Sequence, residues 1–139
     1  MMKRLCITAA FMFGTPIAHA ADTAVTIFKS PACGCCEGWV RHVETAGFVT
    51  NVVDTNDLQA VKDRLGVPAS MRSCHTAVVS GTNQVIEGHV PASAIKKLVA
   101  QRAVHGVAAP GMPANSPGMG EMDGKLVTVD FLGKRFSQD

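Results

Sequence analysis

The chain has 139 residues, with 13 Lys and Arg against 11 Asp and Glu, 5% aromatic residues and no Tyr. That length holds one domain around one core. The near balance of charge and the shortage of aromatics exclude both the basic footprint and the stacking platform of a nucleic-acid binder.

Residues 1–20 read as a secretory signal peptide. Lys3 and Arg4 form a positive n-region, and Leu5 to Phe13 is an apolar run too short to span a bilayer. Ala18-His19-Ala20 is a small-x-small site that places cleavage before Ala21. An uncut N-terminal anchor is the alternative reading. Cleavage removes Cys6, Met1, Met2, Met12 and two positive charges, which leaves about 119 near-neutral residues with four cysteines. No other segment has the length and hydropathy of a membrane helix, so no stable membrane insertion is expected after cleavage.

Residues 21–106 alternate between strand and helix patterns. Val25 to Lys29 is a β-branched and aromatic strand closed by Pro31. A helix is expected to open at Cys35 or Cys36 and run to Ala46, with Gly47 past its end and Cys36, Trp39, Val40 and Val43 on one face. Val49 to Asp54 is a second strand. Asn56 and Gln59 resemble a capping box for a second helix whose buried stripe is Leu58, Val61 and Leu65, ended by Gly66 and Pro68. Thr76 to Ser80 and Gln84 to Glu87 form a hairpin about Gly81-Thr82-Asn83. Pro91 opens a third helix with Ile95, Leu98 and Val99 inward and Gly106 at its end. The order β-α-β-α-β-β-α, with a parallel right-handed first crossover, is similar to the thioredoxin fold.

Residues 107–139 form a C-terminal extension expected to pack on that domain. Val107 to Asp123 is rich in Gly, Pro, Ala and Met and lacks a helix or strand period, so an irregular segment is expected. Lys125 to Leu132 alternates as a strand, and the last residues are expected to fray.

The chemistry lies in Cys33-Gly34-Cys35-Cys36, where the first strand meets the first helix, and in Cys74-His75. Unpaired N–H groups and the dipole at a helix start favour thiolates. In a thioredoxin-like fold the loop entering the third strand lies beside the C-x-x-C, so Cys74 and His75 are expected to face Cys33, Cys35 and Cys36. Cys33 and Cys36 are the candidate redox pair. A single tetrahedral zinc fits poorly, because Cys35 and Cys36 are adjacent and point apart. Thiolates bridging several Cu(I) ions fit better, since each sulfur then serves a different soft metal. Met112, Met119 and Met122 in the tail are candidate thioether ligands or a lid, and Met71 divides evenly between core and ligand roles.

Other readings weigh against these. Exported cysteines are by default structural disulfides, but three nearly contiguous ones allow one local bridge, such as Cys33–Cys36, and one to Cys74. His42 is expected to be solvated. His89 and His105 read as turn or capping residues and Trp39 as core. A thiol–disulfide oxidoreductase acting on exported proteins, a passive disulfide-bonded module and an iron–sulfur protein are the competing functions.

Lys29-Ser30-Pro31-Ala32-Cys33-Gly34-Cys35-Cys36 with Trp39-Val40 resembles the opening of the CopG family of periplasmic copper-resistance proteins. Arg72-Ser73-Cys74-His75-Thr76-Ala77, Glu87-Gly88-His89-Val90-Pro91, residues 107–113 and Ser116-Pro117-Gly118-Met119 are similar to its later motifs, in order. The resemblance implies a thioredoxin-like fold with a C-terminal extension, a periplasmic location, and copper bridged by Cys33, Cys35, Cys36 and Cys74. His75, Met112 and Met119 complete the expected ligand set. The expected partners are copper ions and other periplasmic copper-handling proteins. Thiol-linked interconversion of Cu(I) and Cu(II) is the activity expected of such a site.

Overall fold

A computed structural model describes residues 23–139. The signal-peptide reading falls outside the described residues. The elements run β1 (Ala24–Lys29), α1 (Gly34–Thr45), β2 (Val49–Asp54), α2 (Leu58–Arg64), β3 (His75–Val79), β4 (Val85–Glu87), α3 (Ala92–Ala100), β5 (Gly106–Ala108), β6 (Val127–Asp130) and β7 (Arg135–Gln138), with a short 3-10 turn at Ala69–Met71.

The seven strands among the described residues join one sheet in the order β2-β1-β3-β4-β5-β6-β7. β1 and β2 are parallel, linked through α1, and β3 runs antiparallel to both β1 and β4. That arrangement is thioredoxin-like. The alternation Val25, Ile27 in β1 and Ala77, Val79 in β3 turns one sheet face inward, where Trp39, Val40 and Val43 of α1 and Ile95 and Leu98 of α3 cover it. Gly47, at φ +95°, closes α1 in the left-handed conformation that a side chain would resist.

Several elements differ from the sequence expectation. Asp57, rather than Asn56, caps α2, its carboxylate accepting the Ala60 N–H at 3.1 Å, while Gln59 accepts from Arg72. Lys62 joins Val61 in the core while Leu58 and Leu65 are only half-buried, because α2 must supply a cation to the buried Glu87 of β4. α3 stops at Ala100, and Gly106 opens a fifth strand that pairs parallel with β4. Val107 is therefore not irregular: β5 is wholly buried and has no face for solvent, so it shows no alternation. The C-terminal residues form β7 and pair with β6, instead of fraying. No helix among the described residues is long and apolar enough to cross a membrane.

Candidate metal centre

β1 ends at Lys29, whose buried ammonium pairs with Glu37 at 2.8 Å and Asp54 at 2.9 Å. Glu37 lies in the first turn of α1, so this pair holds the start of that helix against the sheet edge. Cys33 is the N-cap residue and makes no side-chain cap, so no cap bond satisfies the first-turn N–H groups of the helix that carries Cys35 and Cys36. Cys33 and Cys36 form a disulfide, with Cα atoms 5.4 Å apart. Cys35 and Cys74 are free thiols, and Cys35 Sγ lies 3.6 Å from Cys33 Sγ.

The fourth cysteine arrives from β3. Antiparallel pairing of β1 with β3 sets Lys29 opposite His75, so the chain entering β3 passes beside the start of α1. As a result the four sulfurs of Cys33, Cys35, Cys36 and Cys74 all lie within 4.8 Å of one another.

A second group shares two of those residues. One ligand atom each from Cys36, Cys74, His75 and His89 also falls within 4.8 Å of the others. Cys74 Sγ is 2.9 Å from His89 Nε2 and 3.7 Å from His75 Nδ1. His89 Nδ1 lies 2.7 Å from the carbonyl of Pro117, so it carries the proton and donates there, leaving the Nε2 lone pair turned to the Cys74 thiol. His89 is therefore a site residue, where the sequence suggested a turn residue. The sequence signal was present in the hairpin: continuing the register two residues beyond Thr76↔Glu87 sets Cys74 opposite His89.

Burial governs the protonation of these groups. Burial, opposed by the Ser73 hydroxyl and reinforced by Cys35, pushes the Cys74 thiol up from 9.0 to about 11. Burial lowers His75 well below its ordinary range, helped by His89 and the nearby Lys62 ammonium, and burial also lowers His89. In the metal-free protein the thiol and both imidazoles are thus neutral. His75 is fully buried beside Trp39, ring centroids 4.3 Å apart, and its Nε2 has no hydrogen-bond partner. A donor set of thiols and neutral imidazoles, one with an orphaned nitrogen, fits a soft or borderline metal.

Glu87 fixes the segment that carries Cys74 and His75. Its Oε1 accepts the Ser73 N–H at 2.6 Å and the Lys62 ammonium at 2.5 Å, and its Oε2 accepts the Thr76 hydroxyl at 2.6 Å. The two residues between Ser73 and Thr76 are the ligand candidates.

The tail closes against the same end of the molecule. The Ser73 hydroxyl donates to the Gly111 carbonyl, and His89 donates to Pro117. Gly118, at φ +87°, approaches so closely that a Cβ there would lie 2.6 Å from Trp39 N and 2.7 Å from Cys35 O. Met119 follows Gly118 and is half-buried, whereas Met112 is 52% exposed. Met71 is buried in the core. His42 is not solvated as expected: its Nε2 accepts the Ala92 N–H at 3.0 Å and so caps α3. His105 is exposed and meets Phe131 edge-on.

Fold and site together define a thioredoxin-like protein in which the usual dithiol has been enlarged into a thiol and imidazole centre suited to soft metals. Comparison with known proteins supplies the family. Two solved structures, forms 1 and 2 of a copper resistance protein CopG, are each 39% identical to this chain. Form 1 superposes with a TM-score of 0.75 over 86% of this chain and 98% of that one, and form 2 with 0.74 over 86% and 99%. A family model described as "Protein of unknown function, DUF411" matches residues 71–119. No curated protein sequence matches. The chain belongs to the CopG family of copper resistance proteins.

Proposed function

We propose that this protein binds copper in the periplasm as part of a copper-resistance system, holding several Cu(I) ions on bridging thiolates of Cys33, Cys35, Cys36 and Cys74. One observation carries this reading: four sulfurs from two distant stretches of chain lie within 4.8 Å of one another. Sulfurs that close can bridge a shared group of soft ions. In this reading His75 is a further ligand, and Met112 and Met119 of the tail supply thioether sulfurs. Other periplasmic copper-handling proteins are the expected donors and acceptors of the metal.

The disulfide makes binding redox-dependent. Cys33 and Cys36 offer thiolates only after reduction. Their dithiol can deliver two electrons to two Cu(II) ions, giving two Cu(I) and two protons as the S–S bond closes. Closure then removes two of the four cluster ligands and favours release.

Anaerobic Cu(I) titration of the reduced protein tests the reading. More than one copper per chain is expected, with the stoichiometry collapsing in each of the four single Cys→Ser variants. Unchanged loading in Cys74→Ser would sink it. The Cys33–Cys36 disulfide at a helix start also favours a second reading, a thiol–disulfide oxidoreductase acting on exported proteins. Insulin reduction that survives Cys74→Ser while copper loading is unaffected by it would favour that function instead.

A further inference from the structure

With the Cys33–Cys36 disulfide closed, the four-thiolate site cannot form, because two of its sulfurs carry no charge and are weak donors. The imidazole-bearing side of the centre is untouched by that bond. Cys74 remains a free thiol, and His75 and His89 remain beside it.

We propose that Cys74, His75 and His89 form a mononuclear site for a divalent metal ion of the borderline class, and that this site is available while the disulfide is closed. It goes beyond the Cu(I) reading and does not depend on it.

The chemistry of the donors sets the metal class. One thiolate and two imidazoles suit the borderline ions Zn(II), Co(II) and Cu(II), whereas a sulfur-rich set such as the four-cysteine group selects Cu(I). The spacing is close to what such an ion needs. Bonds of about 2.0 Å to nitrogen and 2.3 Å to sulfur place donor atoms roughly 3.4–3.7 Å apart. Cys74 Sγ and His75 Nδ1 are already 3.7 Å apart, and the Cys74–His89 pair at 2.9 Å must open by less than about 1 Å. On binding, the Cys74 S–H proton leaves to solvent and the sulfur takes the metal in its place. The His89 lone pair turns from the thiol to the same ion.

Two features show a prepared ligand shell. The Pro117 carbonyl fixes His89 in the tautomer that presents Nε2, as second-shell carbonyls do for metal-bound histidines. His75 is fully buried, and its Nδ1 makes only the long 3.7 Å contact with Cys74 Sγ, so that nitrogen already faces the thiol and is not committed to another partner. Its ring centroid lies 5.0 Å from that of His89.

The test is Co(II) titration of the full chain with the Cys33–Cys36 disulfide intact, verified by peptide mapping. We expect one equivalent to bind, with sulfur-to-cobalt charge transfer and tetrahedral d–d absorption, and Zn(II) to displace it. Cys74→Ser should abolish the charge-transfer band. His89→Asn keeps a donor for the Pro117 carbonyl but lacks the ligand nitrogen, so it should fold and lose more than about tenfold in affinity. Cys35→Ser should leave binding unchanged. No charge-transfer band in the disulfide-intact protein would overturn the proposal. So would a band that is lost in Cys35→Ser but kept in His89→Asn. Cu(I) loading of the reduced protein is read separately, so failure of either site is distinguishable from failure of the other.

Discussion

Lys62 sits at the hinge between fold and site, and its replacement by Met gives the most demanding test of how the site is held. Lys62 and Glu87 are both fully buried, 2.5 Å apart, and the same carboxylate also accepts the Ser73 N–H and the Thr76 hydroxyl. Lys62→Met fills much the same space but leaves the Glu87 carboxylate buried with two neutral donors and no cation. Removing one partner of a buried pair costs about 3–5 kcal/mol. At about 4 °C per kcal/mol for a domain of this size, the midpoint should fall by about 12–20 °C. The double variant Lys62→Met, Glu87→Gln removes the stranded charge. Its amide oxygen still accepts the Ser73 N–H and its amide nitrogen can donate to Thr76 Oγ. It should recover most of the loss. Thermal and urea unfolding of the metal-free, disulfide-intact protein measure both variants. A single variant within about 1 kcal/mol of the parent, or a double variant no better than the single, refutes the reasoning.

Gly118→Ala should destabilise by about 1–3 kcal/mol and lift the tail, because the new Cβ has no room between Trp39 N and Cys35 O. Faster alkylation of Cys35 reports the lifting, and Gly124→Ala, with a similar φ of +74° and nothing within 4 Å, is the control that should leave Cys35 unchanged. In the metal-free, disulfide-intact protein, Cys74 alkylation should rise about tenfold per pH unit through 9.0 and level off near 11, followed by peptide mapping. A plateau below 9 contradicts the burial argument. The folded state holds this proton more tightly than the unfolded chain, so Cys74 leaves stability unchanged below 9.0 and lowers it as pH rises from there towards 11.

Much of this architecture is legible in the sequence because local rules and tertiary packing agree. Cys36, Trp39, Val40 and Val43 share a helix face in the pattern and a core in the structure. The approach of Cys74 to the cysteine triplet follows from topology, since a strand paired against β1 must begin where β1 ends. What escaped depends on contacts that no local window contains. His89 is defined by Cys74, 15 residues away, and by Pro117, 28 residues away. The burial of Lys62 is set by Glu87, 25 residues on, which takes its ammonium inside the core. Gly106-Val107-Ala108 is too short and too evenly buried to show a strand period, and β4 alone gives it a partner. The Asp57 cap lay one residue from the expected Asn56, within the usual uncertainty of a helix boundary.

Copper ions sharing sulfurs from both stretches of chain are the core of the proposed function. X-ray absorption at the copper edge of the reduced, Cu(I)-loaded protein reads that directly. Sulfur-dominated coordination together with a short copper–copper vector, both lost in Cys74→Ser, is the predicted result. An isolated copper ion with no metal neighbour, or a spectrum identical with and without the Cys74 thiol, would contradict it.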